Sequence, residues 1–416
     1  MKASAPTPPP PQGRLHRPLV EGVVRALQAI FEENKYADKV VAATLRSEKR
    51  WGSRDRAFVA SQVYDAVRWW RLLWWLVFES DPPAPPFAPN KLTRLIGGQL
   101  LLQGWSLPPW EEFNGLELAL LEKRRVQYAG PRPIAQSIPD WLDEIGSREL
   151  GTRWDAEMEA LNRQAPLVIR ANTLRTTAER LMAELEKGGW QPKLAGLAPE
   201  AIELQQRGNV FQHPLFRKGH FEVQDTGSQC IARLLAPQPG MRVVDACAGA
   251  GGKSLHLAAL MENRGQIIAM DTEEWKLEEL RRRARRNGVH IIQTRLITGT
   301  KTIKRLYDSA DRLLLDVPCS GTGVLRRNPD AKWKLSPGFI EEVKTLQQHI
   351  LDNYSPILRS GGRMVYATCS ILPSENERQV AAFLDKHPNW KLLEERHLWP
   401  SEGLSDGFYM ALLEKG

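Results

Sequence analysis

The sequence predicts an α/β protein with a Rossmann-like, doubly wound sheet in its C-terminal part, preceded by an all-helical region and a small α+β module. Strand and helix patterns alternate after Pro239, helical spacing dominates the N-terminal region, and short strand patterns flank one helix in between. The chain has 416 residues, which is too long for a single core, so several domains are expected.

The N-terminal region divides into a tail and a helical domain. Residues 1–18 carry a proline run and no apolar stretch, which predicts a disordered tail and excludes a secretory signal. Apolar residues then repeat at helical spacing from Leu19 onward, and a helical domain is expected over 19–129. The apolar run Trp69–Phe78 is short and contains Arg71, so it predicts a buried helix.

A small α+β module is expected over residues 130–236. The stretch from Thr177 to Lys187 predicts a helix, which the following Gly188 ends. Short apolar runs predict strands around it at Leu167–Asn172, Ala201–Leu204, Val210–Phe211 and His220–Val223.

Residues 237–416 are expected to form the doubly wound sheet. Its helix after the second strand is predicted from Thr272 to Asn287, and its third strand is predicted to end near Leu296. The other strands are predicted at Arg242–Ala246, Gln266–Met270, Arg312–Asp316 and Arg363–Thr368.

Composition narrows the classes of partner. A net charge of +8 and a pI near 9.3 favour a polyanion, with nucleic acid first. No apolar run reaches the length of a membrane span, so no membrane partner is expected. The four cysteines form no C-x-x-C pair and have no histidine at metal-ligand spacing, so no metal is expected. So few cysteines fit a reducing compartment, and a cytoplasmic location is expected.

Two cysteines follow two neighbouring predicted strands at the point where each strand ends. Cys319 closes the run that contains Asp316, and Cys369 closes the next strand. A lone buried cysteine is usually a small apolar residue, but core packing does not require two to stop where their strands stop. Because ligands bind beyond the carboxyl ends of parallel strands, two thiols and a carboxylate at that edge indicate a covalent active site.

A loop rich in small residues follows the first strand, from Asp245 to Ser254. It matches neither G-x-G-x-x-G nor the P-loop pattern, but its small side chains let a cofactor approach the backbone. The second strand ends at Asp271, where a carboxylate can accept hydrogen bonds from ribose hydroxyls or serve as an acidic helix start. Lys253 is open to three interpretations: a cofactor contact, a phosphate contact or a solvated lysine.

These motifs resemble those of the RsmB-type (Sun family) RNA cytosine-5 methyltransferases, which use S-adenosylmethionine. The resemblance spans the C-terminal domain and rests on several ordered segments: 245–253, 316–323, 327–330 with Trp333, 366–370 with Glu375 and Asn376, and 406–409. It implies a methyltransferase domain, with Cys369 as the nucleophile and Cys319 assisting product release. Asp316 is implied to serve both the target cytosine and the cofactor. The implied cofactor contacts are Cys247, Ala248, Gly249, Ala250, Gly251, Gly252, Lys253, Asp271 and Asp316.

The resemblance extends to the N-terminal regions and to the substrate. Residues around Arg54–Ala57 resemble a NusB-like RNA-binding domain, and the middle module is similar to the family's RRM-like segment. The implied partner is RNA, with 16S small-subunit ribosomal RNA expected because NusB-like fusions resemble that subgroup. A monomer is expected.

The sequence departs from the family pattern at two positions. Ala250 stands where the family usually has Pro, and Thr298 stands near the place of an Asp that contacts the adenine amino group. Thr298 or Thr300 could accept a weaker hydrogen bond. The loss of this Asp keeps open a non-catalytic RNA-binding ribosome-assembly factor that retains the fold, whereas the retained thiols favour the enzyme. The absent third glycine disfavours a nicotinamide dehydrogenase.

The run Arg281–Arg286 leaves two interpretations open. Leu277, Leu280 and Ala284 are predicted to form the inward face of this helix, which would leave the arginines outward. They would form either a solvated basic face or an RNA contact.

Overall fold

The computed structural model describes residues 14–206 and 208–416. Most of the predicted tail therefore lies outside the described residues, although the first helix begins at Arg17, inside the predicted 1–18 segment. The chain divides into two compact units, one ending at Arg163 but including Leu325–Ser336, and the other made of the remaining residues. The linear domain boundaries at 129/130 and 236/237 stay a prediction.

The first unit is helical in its described residues. Its helices are α1 (Arg17–Phe31), α2 (Ala37–Ser47), α3 (Ser53–Arg68), α4 (Trp70–Phe78), α5 (Pro89–Leu102), α6 (Leu118–Gln127), α7 (Arg132–Ala135), α8 (Asp140–Leu150) and α9 (Arg153–Leu161). The predicted buried helix is α4, and Trp74 on it is 1% exposed. Its neighbour Trp70 stacks on Phe31 at 4.0 Å between ring centroids, so aromatic packing dominates this core.

The segment 325–336 belongs to this helical unit, although it follows Cys319 closely in the chain. The amine of Lys332 is buried and donates to the carbonyl oxygen of Arg68 at 2.7 Å and to Asn162 Oδ1 at 3.2 Å. Burial and the nearby Arg68 guanidinium hold the pKa of Lys332 well below its usual range. Trp333 Nε1 donates to the carbonyl oxygen of Val67 at 2.8 Å, which fixes the segment further.

The second unit begins with a small antiparallel sheet in the order β2-β3-β1-β4. The predicted strand at Val210–Phe211 is wrong, because these residues belong to the 3-10 helix Val210–Gln212. Turn-forming residues surround this two-residue apolar run on both sides, which favours a tight turn over pairing. The elements of this module are β1 (Leu167–Ala171), α10 (Ala178–Lys187), β2 (Pro192–Leu194), β3 (Ala201–Leu204), α11 (Pro214–Arg217) and β4 (Phe221–Val223).

A seven-stranded sheet forms the rest of this unit, in the order β10-β11-β9-β8-β5-β6-β7. Its strands are β5 (Arg242–Asp245), β6 (Gln266–Asp271), β7 (Ile292–Leu296), β8 (Ala310–Asp316), β9 (Leu358–Thr368), β10 (Trp390–Leu398) and β11 (Phe408–Lys415). Its helices are α12 (Thr226–Leu235), α13 (Gly252–Leu260), α14 (Glu274–Asn287), α15 (Thr300–Lys304), α17 (Pro337–Tyr354) and α18 (Glu377–Lys386), while α16 (Ala331–Lys334) lies in the helical unit.

The sheet that the sequence predicts as doubly wound is mixed. Strands β5 to β9 pair in parallel, whereas β11 inserts antiparallel between β9 and β10. Successive residues of a strand point to opposite faces of the sheet, so Val243 and Val244 belong to two separate apolar cores. Helices cover both faces of the sheet. The carboxyl ends of the central strands β5, β8 and β9 therefore meet at one edge.

Two arginines attach the small module to the glycine-rich loop of the large sheet. Arg170 on β1 donates from Nη1 to the carbonyl oxygen of Gly252 at 2.8 Å. Arg283 on α14 donates to the carbonyl oxygen of Ala250 at 2.7 Å and forms an ion pair at 3.0 Å with Glu222 on β4. The loop after β5 is thus fixed by hydrogen bonds from β1 of the small module and from α14.

Among the described residues, no helix is both long and apolar enough to span a bilayer.

Candidate active site

The two predicted thiols lie in contact at the edge of the sheet. Cys319 follows β8 and Cys369 follows β9, and their Sγ atoms are 3.4 Å apart. These strands are neighbours, with Asp316 paired to Ala367, and the Val317 amide donates to the Ala367 carbonyl at 3.0 Å. The sequence placed both thiols at strand ends, and the structure brings them together.

A buried carboxylate that sequence reasoning gave no role joins the two cysteine loops. Glu375 is 0% exposed and accepts hydrogen bonds from Ser320 and Ser370, the residues that follow the two cysteines. Ser320 donates from its amide at 2.7 Å and from Oγ at 2.5 Å, and Ser370 Oγ donates at 2.6 Å. Glu375 therefore sets the spacing of the cysteines. The signal in the sequence was a Glu-Asn pair shortly after Cys369.

Asn376 completes this support. Its Nδ2 donates to the carbonyl oxygen of Ser370 at 3.0 Å, and its Oδ1 accepts from Thr368 Oγ1 at 2.5 Å. The loop that carries Cys369 is thus fixed at the residues on either side of the thiol, which is the support that a precise site requires.

Lys253 points toward the same edge from the start of α13. Its Nζ lies 2.5 Å from Asp316 Oδ2, and the side chain is 12% exposed. Burial opposes the charge of Lys253, but the Asp316 carboxylate and the Cys369 thiolate outweigh it and raise its pKa. The interpretation of Lys253 as a solvated lysine is therefore wrong.

The two thiols differ in their surroundings. A hydrogen bond to Cys369, burial and the Glu375 carboxylate raise the pKa of Cys319 well above its usual range. Cys319 is accordingly a thiol at neutral pH, whereas Cys369 is the cysteine that interacts electrostatically with the Lys253 ammonium. This asymmetry is a physical reason to assign the thiols different roles, which the sequence pattern alone did not provide.

The glycine-rich loop and Asp271 form one structure. Asp271 Oδ2 accepts from the Gly249 amide at 2.9 Å, and its Oδ1 accepts from the Glu273 amide at 2.9 Å. Gly249 has φ +53°, and a Cβ built on it would meet no atom within 4 Å, so the backbone faces open space. Gly251 has φ +84°, and its Cβ would lie 2.4 Å from Leu280 Cγ, so only glycine fits there.

A buried carboxylate beside this loop fits a cationic ligand. Asp245 accepts a hydrogen bond from Ser254 at 2.6 Å on one oxygen, while its Oδ1 is buried and has no partner among the described residues. Burial raises the pKa of Asp245 to about 7. S-adenosylmethionine carries a sulfonium and an ammonium group, and either would stabilise this carboxylate. The donor set along residues 245–253 with Asp271 therefore fits that cofactor.

Cys247 and Thr298, two further positions from the sequence analysis, have less direct roles in the site. Cys247 is half-buried, and burial with the carboxylates of Asp245, Asp316 and Asp271 raises its pKa well above the usual range, so it is poorly suited to act as a nucleophile. Thr298 is exposed and its Oγ1 lies 3.3 Å from Thr302 Oγ1. Its hydroxyl is the polar group at the position where the resemblance leads us to expect a carboxylate.

The arginine run on α14 is only partly outward, because Arg282 and Arg285 are exposed whereas the other arginines are half-buried. Arg283 and Arg286 turn toward the buried Glu222, and Arg282 forms an ion pair with Glu279. Their inward reach arises because long arginine side chains can bury their stems and deliver the charge to a neighbouring element. Arg285 alone of the run lacks an ion pair within the part of the chain that the structure describes.

No cluster of three or more histidine, cysteine or acidic side chains suited to a metal ion occurs within residues 14–206 and 208–416.

Sequence comparison identifies the family. The family model described as "16S rRNA methyltransferase RsmB/F" matches residues 232–414, and one described as "Methyltr_RsmF/B-like, ferredoxin-like domain" matches residues 138–211. The middle module is thus ferredoxin-like, which refines the predicted RRM-like segment.

Individual relatives agree with the family match. The chain is 36% identical to the probable ribosomal RNA small subunit methyltransferase B of Synechocystis, over 67% of each chain. It is also 36% identical to the ribosomal RNA small subunit methyltransferase B of Vibrio cholerae, over 67% of this chain and 65% of the relative. The crystal structure of PH0851 is 25% identical with a TM-score of 0.77, and covers 97% of this chain and 100% of that one.

The mixed α/β sheet and the family match place the chain in a class of RNA methyltransferases. Within that class, the chain belongs to the RsmB/F family of 16S rRNA methyltransferases. The matched region spans about two thirds of the curated relatives, between 65% and 67% of the first two.

Proposed function

We propose that this protein methylates carbon 5 of a cytosine in 16S ribosomal RNA through a covalent bond between Cys369 and the base. The observation that carries the proposal is the 3.4 Å pair of thiols, flanked by the Lys253–Asp316 pair, at the carboxyl edge of a sheet in a chain of this family. Carbon 5 of cytosine is a weak nucleophile, and a thiolate added at carbon 6 makes it a stronger one.

Cys369 acts as the nucleophile. The thiolate is the reactive form of cysteine, and a neighbouring cation stabilises it. The ammonium of Lys253 supplies that cation, and its pKa is raised in part by Cys369. The electron pair of the thiolate forms the bond to carbon 6 and leaves carbon 5 electron-rich.

Asp316 orients the base. Its carboxylate is 27% exposed and is held by Lys253, so one side remains open to a ligand. It can accept a hydrogen bond from the exocyclic amino group of cytosine and from a proton on ring nitrogen 3. Uracil presents an oxygen where cytosine has the amino group, so the carboxylate disfavours uracil.

S-adenosylmethionine supplies an electrophilic methyl group when it is bound. Residues 247–253 would hold it along the loop backbone, Asp271 would accept hydrogen bonds from its ribose hydroxyls, and Asp245 would face a positive group. Asp316 borders both the cofactor loop, through Lys253, and the thiols, so it serves both ligands.

Cys319 acts at the release of the methylated base. Cys319 first gives up its own proton to water, and its thiolate then removes the proton from carbon 5. The electrons of that carbon–hydrogen bond form the carbon 5–carbon 6 double bond. The sulfur–carbon 6 bond then breaks, and its electron pair returns to Cys369. The raised pKa of Cys319 makes its thiolate a stronger base for this proton.

The remaining domains would hold the RNA. The helical unit resembles a NusB-like RNA-binding domain, the middle module matches a ferredoxin-like domain, and the chain has a net charge of +8. Such surfaces grip folded RNA through phosphates and shape. The target cytosine must leave its stack to reach the thiols. The relatives are named as methyltransferases of small-subunit ribosomal RNA, and the matching family as one of 16S rRNA, which favours 16S rRNA as the substrate.

The test maps methylation of 16S rRNA by bisulfite sequencing in cells with and without the gene. Cells without the gene are then complemented with variants of the protein. Cys369→Ala should reduce methylation at least ~10⁴-fold while RNA binding remains, because the covalent route is lost. Cys230→Ala is the matched control, because this buried thiol lies on α12 and has no part in the proposed reaction. Full activity of Cys369→Ala would refute the nucleophile assignment.

Thr298 supports a second candidate function, a non-catalytic ribosome-assembly factor, because a hydroxyl replaces the expected carboxylate near the adenine position. Calorimetric titration with S-adenosylmethionine separates the two. Binding favours the enzyme, and no binding in a protein that still binds RNA favours the assembly factor.

A further inference from the structure

A cavity of about 480 Å³ lies at the β7 edge of the large sheet, on the face covered by α15. Its lining includes Arg242 from β5, Arg295 from β7 and Arg305, which follows α15. The hydroxyl residues Thr298 and Thr302 complete the polar part of the wall. Of the residues discussed above for catalysis or cofactor binding, only Thr298, near the expected adenine contact, lines it.

The positive charge of this cavity is uncompensated. No acidic residue lines it, and none of the three arginines takes part in an ion pair among the described residues. The nearest acidic group that contacts them is Asp311, which accepts a hydrogen bond from the Arg242 backbone amide at 2.7 Å and is paired with Arg359. Arg242 Nε is buried and has no hydrogen-bond partner within residues 14–206 and 208–416. A buried donor without a partner is costly unless a ligand satisfies it.

The donor set suits a phosphate group. Guanidinium groups bind phosphate oxygens with two parallel N–H donors, and hydroxyl groups add further hydrogen bonds. Arginine is also less strongly hydrated than lysine, so its guanidinium loses less hydration free energy when it contacts a ligand. A volume of about 480 Å³ exceeds what a single ion needs and admits a phosphodiester with part of its sugar.

We propose that this cavity binds a phosphate of the RNA backbone, so that the face of the sheet opposite α14 contributes to holding the substrate. The proposal rests on RNA as the substrate of the proposed function and extends it to a site away from the thiols. Arg305 is exposed and Arg295 is half-buried, so a backbone phosphate at the surface can reach both. Free phosphate or pyrophosphate offers the same chemistry, and the experiment distinguishes these sources.

The experiment measures RNA binding by the full-length protein without cofactor, as a function of salt. The double variant Arg295→Gln/Arg305→Gln removes two of the three cations. Each lost phosphate contact lowers the slope of log K against log salt by about 0.7 to 0.9, and binding should weaken similarly for all RNA sequences. We therefore expect the slope to fall by about one and the dissociation constant at low salt to rise several-fold.

The matched control is Arg282→Gln/Arg285→Gln on α14, which removes the same charge from the same unit. Its slope should stay within experimental error of the unmodified protein. An equal fall in both double variants would show a general effect of net charge and would overturn the proposal. Thr302→Val is a second test, because it removes a hydroxyl without changing charge and should weaken binding less than the double variant.

A second arm titrates inorganic phosphate and pyrophosphate by calorimetry. Weak or undetectable binding together with a reduced RNA slope supports the RNA backbone as the ligand. Pyrophosphate binding that the double variant abolishes, with an unchanged RNA slope, would overturn RNA as the source. If the unmodified protein fails to bind RNA, the proposed function fails as well, whereas normal RNA binding with an unchanged slope overturns only this inference.

Discussion

Four side chains determine the chemistry at the scale of single residues. Cys369, Cys319 and Asp316 were selected from the sequence by residue type and position at strand ends, whereas Lys253 was left with three interpretations. The structure places the two thiols in contact and Lys253 beside Asp316. Their electrostatic relation could not be predicted, because the pKa of a thiol depends on contacts between loops 50 residues apart in the chain.

Replacing Cys319 should stop the reaction after methyl transfer. In Cys319→Ala the carbon 5 proton has no nearby base, so the bond between Cys369 and carbon 6 persists. A denaturing gel should show a protein–RNA adduct that resists denaturant and requires Cys369. Absence of the adduct in Cys319→Ala, with methylation lost, would contradict the release role.

Replacing Lys253 should change the pH dependence of the reaction. In Lys253→Met the ammonium that favours the thiolate is lost, so the acid limb of kcat/KM should move to higher pH. At neutral pH we expect a loss of about 10²-fold or more, partly recovered under alkaline conditions. Steady-state kinetics across pH measure this, and Lys391→Met on β10 is the surface control. An unshifted profile would show that Lys253 acts only on the cofactor.

The loops after β8 and β9 are the elements on which the site depends. Glu375 accepts hydrogen bonds from the residue after each cysteine, and Asn376 fixes the second loop. The sequence predicted where these strands end, because apolar runs stop abruptly at polar residues. It did not predict the role of Glu375, because a carboxylate in a loop has no periodicity and its partners come from two strands.

Two other elements show the same limit. The strand predicted at Val210–Phe211 failed because two apolar residues carry no period, and turn residues around them decided the conformation. The arginines of α14 were assigned to the outside from helical spacing, but their reach allowed Arg283 and Arg286 to pair with Glu222. Patterns with many repeats, such as the alternation of β5 to β9, were predicted well.

Replacing Glu375 should loosen both loops at once. In Glu375→Ala the Ser320 amide and two hydroxyls lose their buried acceptor, so the free energy of unfolding should fall by about 3 kcal/mol. We expect kcat to fall more than KM rises, since the thiols lose their spacing while RNA contacts persist. Urea unfolding and steady-state kinetics measure this. Glu375→Gln retains one acceptor and should lose less, and equal losses in both variants would count against the hydrogen-bonding role.

At the scale of the whole molecule, the helical unit includes a segment of the catalytic sequence region. Residues 325–336 follow the Cys319 loop directly and are held by Lys332 and Trp333 within that unit. The motif residues 327–330 and Trp333, on which the family resemblance rests, thus belong to the packing of the helical unit. Linear domain reasoning could not predict this, because the segment is short and lies between two strands of another unit.

Replacing Lys332 should destabilise the helical unit. Lys332→Ala leaves the Arg68 carbonyl and Asn162 without their donor, so the free energy of unfolding should fall by about 2 kcal/mol. Methylation should fall while binding of S-adenosylmethionine to the other unit persists. Thermal unfolding and calorimetry measure both quantities. Lys49→Ala, an exposed lysine of the same unit, should change stability by less than about 0.5 kcal/mol. Equal effects of both substitutions would contradict this account.

The backbone passes between the two units three times, at residues 163/164, 324/325 and 336/337. A truncated protein that begins at Gln164 would retain Trp333 and Lys332 but lack the helices against which the indole and the amine pack. A recombination event that exchanged the N-terminal half for that of another enzyme would meet the same obstacle. The two units are therefore expected to be inherited together. Substitutions in the twelve residues 325–336 are expected to be accompanied by substitutions in the helices of the N-terminal region.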